Sequence, residues 1–426
     1  LQADFSTALF ERSASVISTG LPDQNSFSLS AEILNPGGGN VLDDGVVSTL
    51  TIRAADAFNN PALDGTSVIF NAEYGDVTPS CTTVDGACSV IWTSSGTRAV
   101  DFASTGTMRT LANTACDHDG GGADHFDEDL PCPTYNFNFP LGQIYSGRTT
   151  ILAYADGDES FDDLSGNGLY DYVDVNLNNS YDADTDTLEP FVDLPEAFRD
   201  DNEDGVFGKD GAAFENNSGL PCTADDGTDQ CTGWLDSGQE EFFFDINENG
   251  RYDGDDDGNS NNGMVGNGIF NGVLCAEELE LLTLCTRLPI SVRSEVVLIM
   301  SDNTPVVDFR NGDYSLLASG AVVDVDVGGP TLIRALIGDI NNNLPVVGTT
   351  IEIAVDNCDF SGAVSYSIGN TNEAGIFDIP ITFAEDDSVD GDVGTVIVTA
   401  TTITSFSSGA TKSFIQTDSF TCVDAD

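Results

Sequence analysis

The sequence predicts an all-β fold in which two β-sandwiches are joined by an irregular, loop-rich acidic module. Three observations lead there. Short stretches with apolar residues at every second position, bounded by Gly-, Pro- and Asn-rich turns, occupy both ends of the chain. A strand–turn–strand sequence of the first half returns at a constant offset of 283 residues. Between the two, residues 156–257 hold 31 of the 72 acids but only 3 of the 13 bases.

The elements follow in order. Residues 1–25, with ADFSTALFERSASVIST, read as extended. They are either the first strand of the next sheet or a strand donated to a neighbouring subunit by β-strand addition. Residues 26–155 form the first sandwich. NSFSLSAEI places Phe27, Leu29, Ala31 and Ile33 on one face, and STLTIRAAD, TSVIFNAEYG, SVIWTSS, TYNFNF and GRTTILAYA supply further strands. CTTVDGAC is a hairpin with Asp85-Gly86 at its tip. Residues 289–426 form the second sandwich, opened by PISVRSEVVLIMS. There TLIRALIGDINNNLPVVGTTIEIAV repeats TIRAADAFNNPALDGTSVIFNAE, so that Asp56, Gly65 and Thr66 match Asp339, Gly348 and Thr349.

The module, residues 156–288, is built on a pattern written three times: ESFDDLSGNGLY, EAFRDDNEDGVF and EFFFDINENGRY. Oxygen side chains at the first, third and fifth positions after the E-x-F-x lead converge on one point. Glycine at the sixth permits the turn, and the seventh residue offers its carbonyl; such an all-oxygen set favours calcium. The first loop offers Asp163, Ser165, Asn167, the Leu169 carbonyl, Asp171 and Asp174. The second offers Asp200, Asn202, Asp204, the Val206 carbonyl and Asp210. The third offers Asp245, Asn247, Asn249, the Arg251 carbonyl, Asp253 and Asp256, overlapped by a frame of Asp253, Asp255 and Asp257. Glu159, Glu196 and Glu241 each stand four residues before a leading Asp, and Asp156 and Asp158 mark the junction with the preceding strand. The aromatics Phe161, Phe198, Phe243, Tyr170, Phe207 and Tyr252 are expected to make one small core between the loops. GNGIFNGVLC repeats the end of the pattern without leading acids and reads as a metal-free copy. Asp, Asn and Gly also make plain turns. Three copies with the same Glu and aromatic positions favour several bound calcium ions over turns alone.

These loops resemble those of dockerins, EF-hands and thrombospondin type 3 repeats, without long flanking helices. VSTLTIRAADAFNNPALDGTSVIFNAEYGDVTPSCTTVDGACSVIWTSSG resembles the bacterial Ig-like repeat of invasins and intimins. That resemblance implies Ig-like sandwiches. An insertion at 112–133 departs from it and carries the chain's two histidines, His118 and His125, with Asp117, Asp119, Asp124 and Asp127; a metal site and a solvated Gly-rich loop are both open readings.

The net charge of −59 excludes nucleic acid and anionic membrane surfaces as partners, since both would repel the chain. No apolar run approaches spanning length, so no membrane insertion is expected. The chain starts at Leu1, which reads as a processed or excerpted sequence. Ten cysteines fall into near pairs: Cys81 with Cys88, Cys116 with Cys132, Cys222 with Cys231, Cys275 with Cys285, leaving Cys358 for Cys422. Zinc spacings are absent, so disulfides and an extracellular or cell-surface location follow. No nucleophile elbow, P-loop or dinucleotide fingerprint occurs, and no catalysis is expected. The expectation is a calcium-stabilised structural protein, self-associating as a filament subunit or adhesin stalk. The alternative is an adhesin that recognises a protein or glycan through Ig-like loops.

Overall fold

The computed structural model describes residues 20–40, 42–96, 147–201, 242–246, 266–312, 317, 321–324, 331–339, 343–358, 360–373, 375–383 and 393–423. The architecture is all-β. In chain order the first strands are β1 (Phe27–Ala31), β2 (Val47–Ala54), β3 (Ser67–Ala72), β4 (Asp76–Val77), β5 (Ser80–Thr82), β6 (Ala87–Thr93) and β7 (Arg148–Gly157). Among its described residues the module contributes the two-residue strands β8 (Tyr172–Val173), β9 (Thr187–Leu188), β10 (Phe270–Asn271) and β11 (Cys285–Thr286), with one short helix, α1 (Glu277–Leu281). Then come β12 (Ile290–Ile299), β13 (Val306–Asn311), β14 (Val322–Asp324), β15 (Leu332–Gly338), β16 (Thr350–Asp356), β17 (Phe360–Ser361), β18 (Ser365–Ser367), β19 (Phe377–Phe383), β20 (Val393–Ser405) and β21 (Thr411–Val423).

The first sandwich packs the sheet β1-β2-β6-β4 on the sheet β12-β7-β3-β5. Alternation in β2 buries Ser48, Leu50, Ile52 and Ala54 on one face. These apolar side chains meet Val68, Phe70, Val90, Trp92, Ile151, Ala153 and Ala155 in one core. Trp92 is fully buried, and its indole N–H donates to the Tyr74 carbonyl at 2.9 Å. The second sandwich packs β13-β15-β19-β17 on β14-β21-β20-β16-β18 around Ile333, Ile351, Ile381, Phe383, Val398 and Phe420.

The internal repeat is carried down to individual hydrogen bonds. Asp56 N–H donates to the Asn60 carbonyl at 2.8 Å, and Asp339 N–H to the Asn343 carbonyl at 2.9 Å. The returning N–H of Asn60 and of Asn343 reaches the matching carboxylate at 2.9 Å in both. Gly65 and Gly348 then turn with φ of 91° and 80°, a conformation that glycine adopts without a Cβ penalty. Strand for strand, β2, β3, β6 and β7 correspond to β15, β16, β19 and β20.

That correspondence corrects the expected domain boundary. β12 is the counterpart of β21, and it belongs to the first sandwich, not to the second. It pairs with β7 over its whole length, from Ile290 opposite Gly157 to Ile299 opposite Arg148. Val292, Leu298 and Met300 enter the first core. In the second sandwich β20 and β21 form a hairpin whose turn is residues 406–410. In the first, the equivalent turn is replaced by the entire acidic module. The module therefore does not stand between the sandwiches. It leaves one end of the β7–β12 ladder, and the second sandwich follows the other end, roughly 30 Å away for ten residues of strand.

The two sandwiches touch directly through buried polar groups. Asn303, 1% exposed, donates to the Asp43 carboxylate and accepts from the Thr404 hydroxyl. Lys412 pairs with the other oxygen of Asp43. Asn35, fully buried, donates to the carbonyls of Pro345 at 3.1 Å and Gly369 at 3.2 Å. Residues 20–25 are seated on their own chain. Asp23 bridges Asp158, and the Gln24 side chain both donates to and accepts from the Arg293 backbone. Residues 1–19, the rest of the expected donor strand, lie outside the described residues.

Among the described residues three disulfides are present, Cys81–Cys88, Cys275–Cys285 and Cys358–Cys422. Cys116, Cys132, Cys222, Cys231 and the histidine-bearing insertion lie outside the described residues.

Replacing Asn303 by Ala leaves the buried Asp43 carboxylate short of a donor. Asn303→Ala should cost about 1–3 kcal/mol in denaturant unfolding and widen the distribution of inter-sandwich distances in X-ray scattering. An unchanged midpoint together with an unchanged scattering curve would refute the role given to this contact.

Candidate metal centre

The loop headed by Asp163 folds as its residue types dictate. Asp163 Oδ1 accepts from the N–H groups of Gly166 at 2.6 Å and Asn167 at 3.2 Å, and Oδ2 from Gly168 at 2.8 Å. Gly168 takes a φ of 79°, which swings Leu169 N–H onto Asn167 Oδ1 at 2.8 Å. Side-chain oxygens of Asp163, Ser165, Asn167 and Asp171 thus line one turn. Desolvation pushes the Asp163 carboxyl up, and the donors from Gly168, Gly166, Ser165 and Asn167 together outweigh it and hold the carboxyl below the ordinary range.

The residue that closes this loop is one that spacing alone did not reveal. Glu189, 1% exposed, accepts Ser165 N–H at 2.8 Å on one oxygen and Asp171 N–H at 3.1 Å on the other. Asp174, expected to close the loop, instead heads a second one. Its carboxylate accepts from Asn178 at 3.2 Å and Asn179 at 2.8 Å, and Ser180 N–H reaches Asn178 Oδ1 at 2.8 Å. Asn179 stands where glycine is usual and adopts a φ of 59°. Asp186 closes this loop, accepting Val175 N–H at 3.0 Å and Asp182 N–H at 2.9 Å. The set Asp174, Asn176, Asn178, Asp182 and Asp186 was hidden in the sequence because Asn replaces the diagnostic glycine. Glu278 of α1 holds the loop from outside, accepting Tyr181 N–H at 2.9 Å and the Ser180 hydroxyl at 3.2 Å.

The described leading Glu residues, Glu159 and Glu196, reach beyond their own loops. E-x-F-x-D occurs a fourth time, as Glu189-Pro190-Phe191-Val192-Asp193. The copies pair antiparallel, Phe161 with Phe191 and Phe198 with Phe243. Asp162 N–H donates to Pro190 O and Val192 N–H to Ser160 O; equally, Arg199 N–H donates to Phe242 O and Phe244 N–H to Ala197 O. The described Glu residues reach across to the partner copy. Glu189 closes the loop of Asp163, and Glu196 accepts the N–H of Ile246, next to Asp245, at 3.0 Å.

Of the expected aromatics, Phe161 and Tyr170 meet in one cluster, and a second cluster is built on Phe242 and Phe244. Tyr170 stacks on Phe270 at 4.4 Å, with Phe161 and Phe191 edge-on, beside the Cys275–Cys285 disulfide. Phe242 and Phe244 instead pack with Ala197 on Leu152 and Tyr154, covering the outer face of β7. β7 is consequently buried on both faces. Arg199 reinforces this, bonding Asp201 and the Asn71 side chain of β3.

Asp158 and Glu159, at the exit of β7, are 1% exposed. Burial, with the neighbouring Asp23 charge adding to it, lifts the Asp158 carboxyl to about 6. Burial lifts that of Glu159 to about 8, with Asp193 adding to it and backbone donors opposing. Asp156 is exposed, and Asp200 offers its N–H to Glu295 at 3.1 Å. Asn202, Asp204, Val206, Asp210, Glu241, Asn247, Asn249, Arg251, Asp253, Asp255, Asp256 and Asp257, with Phe207 and Tyr252, lie outside the described residues. Among the described residues no three Asp, Glu, His or Cys side chains form a group placed to hold a metal ion. The two loops instead mix carboxylates with Asn and Ser side-chain oxygens, a residue set that suits a hard cation.

A β-branched residue tolerates the left-handed region poorly. Asn179→Val should cost roughly 1–2 kcal/mol and raise amide exchange across 174–186, whereas Asn179→Gly should be neutral or stabilising. Equal exchange in the two variants would contradict the turn described.

No family model matches the sequence, and no curated protein matches it. Among solved structures, the chain is similar to the D0-D1 domain of intimin at 8% identity, with 92% of this chain and 96% of that one covered and a TM-score of 0.19. It is similar to the Yersinia pseudotuberculosis adhesin InvE at 8% identity, covering 94% and 60%, TM-score 0.19. It is similar to MtrC from Shewanella baltica OS185 at 8% identity, covering 93% and 70%, TM-score 0.16. Scores this low carry no argument about function, and the β-sandwich architecture rests on the strand pairing above.

Proposed function

We propose that this chain is a calcium-stabilised structural arm of an extracellular, adhesin-type protein, with no catalytic role. The observation that carries the reading is the insertion itself. A tight hairpin turn in one sandwich becomes, in its twin, a module of over a hundred residues that is dense in acids and whose described part is poor in regular structure and includes loops rich in oxygen side chains. A stretch with so little apolar core gains order from cations that cancel its self-repulsion and from disulfides, each worth about 2–4 kcal/mol. The three disulfides suit an oxidising compartment. No described helix is long and apolar enough to cross a membrane.

The direct contact of the two sandwiches supports a stiff tandem, and the module's position at the far end of the first supports a second reading. In that reading the module is the end that meets a protein or glycan ligand, and the sandwiches are its stalk. Assembly by strand donation has less support, because residues 20–25 are already seated on their own sandwich.

Thermal unfolding with calcium and with excess chelator tests the reading. A site held at a hundred times its dissociation constant adds about 2.7 kcal/mol, so chelation should lower the midpoint by several degrees and expose the module to protease before the sandwiches. Identical melting curves and cleavage patterns would sink the proposal.

A further inference from the structure

The segment GNGIFN, which as sequence lacks its leading acids, acquires them through the fold. We propose that Asp193, Asn267, Asn271 and Glu159, with the Ile269 carbonyl, form a composite calcium site assembled from three separated chain segments. This inference rests on the reading that the continuous loops take calcium.

The argument is one of equivalence. In the loops of Asp163 and Asp174 the left-handed residue donates its N–H to the leading carboxylate at 2.8 Å. Here Gly268, with a φ of 76°, donates to Asp193 Oδ2 at 2.9 Å, from a residue 75 positions away. In those loops the next N–H reaches the preceding Asn oxygen at 2.8 Å. Here Ile269 N–H reaches Asn267 Oδ1 at 3.0 Å. In those loops a closing carboxylate joins an N–H just after the leading Asp to the N–H of the ninth-position residue. Here Glu159 accepts Leu194 N–H at 2.8 Å and Asn271 N–H at 2.6 Å. The aromatics that follow the turns, Tyr170 and Phe270, are stacked on each other.

A further observation points to a ligand. Asp193 Oδ1 is buried and has no hydrogen-bond partner, and Glu159 beside it is 1% exposed. A buried Glu159 carboxylate beside a half-buried Asp193 whose inner oxygen is unsatisfied is an arrangement that a cation would relieve. The backbone is shaped to let Asp193 in, since a Cβ at Gly266 would lie 2.1 Å from its Oδ1. The arrangement also completes the exchange between paired copies. Glu189 closes the loop that Asp163 heads, and Glu159 closes the one that Asp193 heads. A cation here ties residues 193 and 267 to the first turn after β7, and so fastens the module to the sandwich from which it springs.

Native mass spectrometry of the intact, disulfide-bonded chain titrated with calcium chloride tests this. Asp193→Asn should bind one ion fewer than the parent chain. Asn267→Ala, at an exposed position, should weaken one ion's binding. Asp163→Asn should independently remove a different ion, so that the double variant with Asp193→Asn binds two fewer. If Asn267→Ala and Asp193→Asn keep the parent's ion count and affinities while Asp163→Asn loses an ion, the composite site is overturned and the calcium reading of the continuous loops stands. If the parent chain takes up no calcium, both fall. Should Asp193→Asn fail to fold, the Asn267→Ala titration decides alone.

Discussion

The β7–β12 ladder is the constraint on which the rest depends. Ten residue pairs in unbroken antiparallel register join two strands separated in sequence by the whole module. Because both strands also place side chains in the first core, neither can slip without moving its apolar set to the other face. The ladder delivers the module at one end and the second sandwich at the other. It also offers its outer face, through Leu152 and Tyr154, as the platform on which the segment around Ala197 and Phe244 is laid.

An inserted module of this composition has an electrostatic difficulty, and its structure answers it locally. Leading carboxylates are wrapped by backbone N–H groups, and closing carboxylates are buried across two N–H donors each, so that much of the charge is held by the chain's own dipoles. The reciprocal pairing of E-x-F-x-D segments adds register. Each short bridge aligns two Phe residues, and the described Glu residues reach across it to the opposite copy. Among the described residues, aromatic stacking beside the Cys275–Cys285 disulfide gives the module a small core of its own. The two sandwiches, by contrast, are ordinary two-layer cores whose mutual contact is polar and buried around Asp43 and Asn303.

The sequence by itself determined the local elements of this protein. Alternation marked strands such as β2 and β16, because one face of a sheet is buried and the other is wet. The offset from Asp56 to Asp339 marked the repeat, because the same Asp-capped turn and the same glycine are needed in both copies. The first acidic loop was legible because oxygen ligands and glycine recur at fixed spacing. Only the tertiary structure decided the rest. Which sandwich owns residues 290–299 depends on a pairing partner over a hundred residues away, and nothing in PISVRSEVVLIMS announces it. The Asp174 loop escaped notice because Asn179 does glycine's work. Glu189 and Asp193 gained their places because carboxylates close loops through space, and hydrogen-bond geometry does not depend on how far apart in the chain the two partners lie.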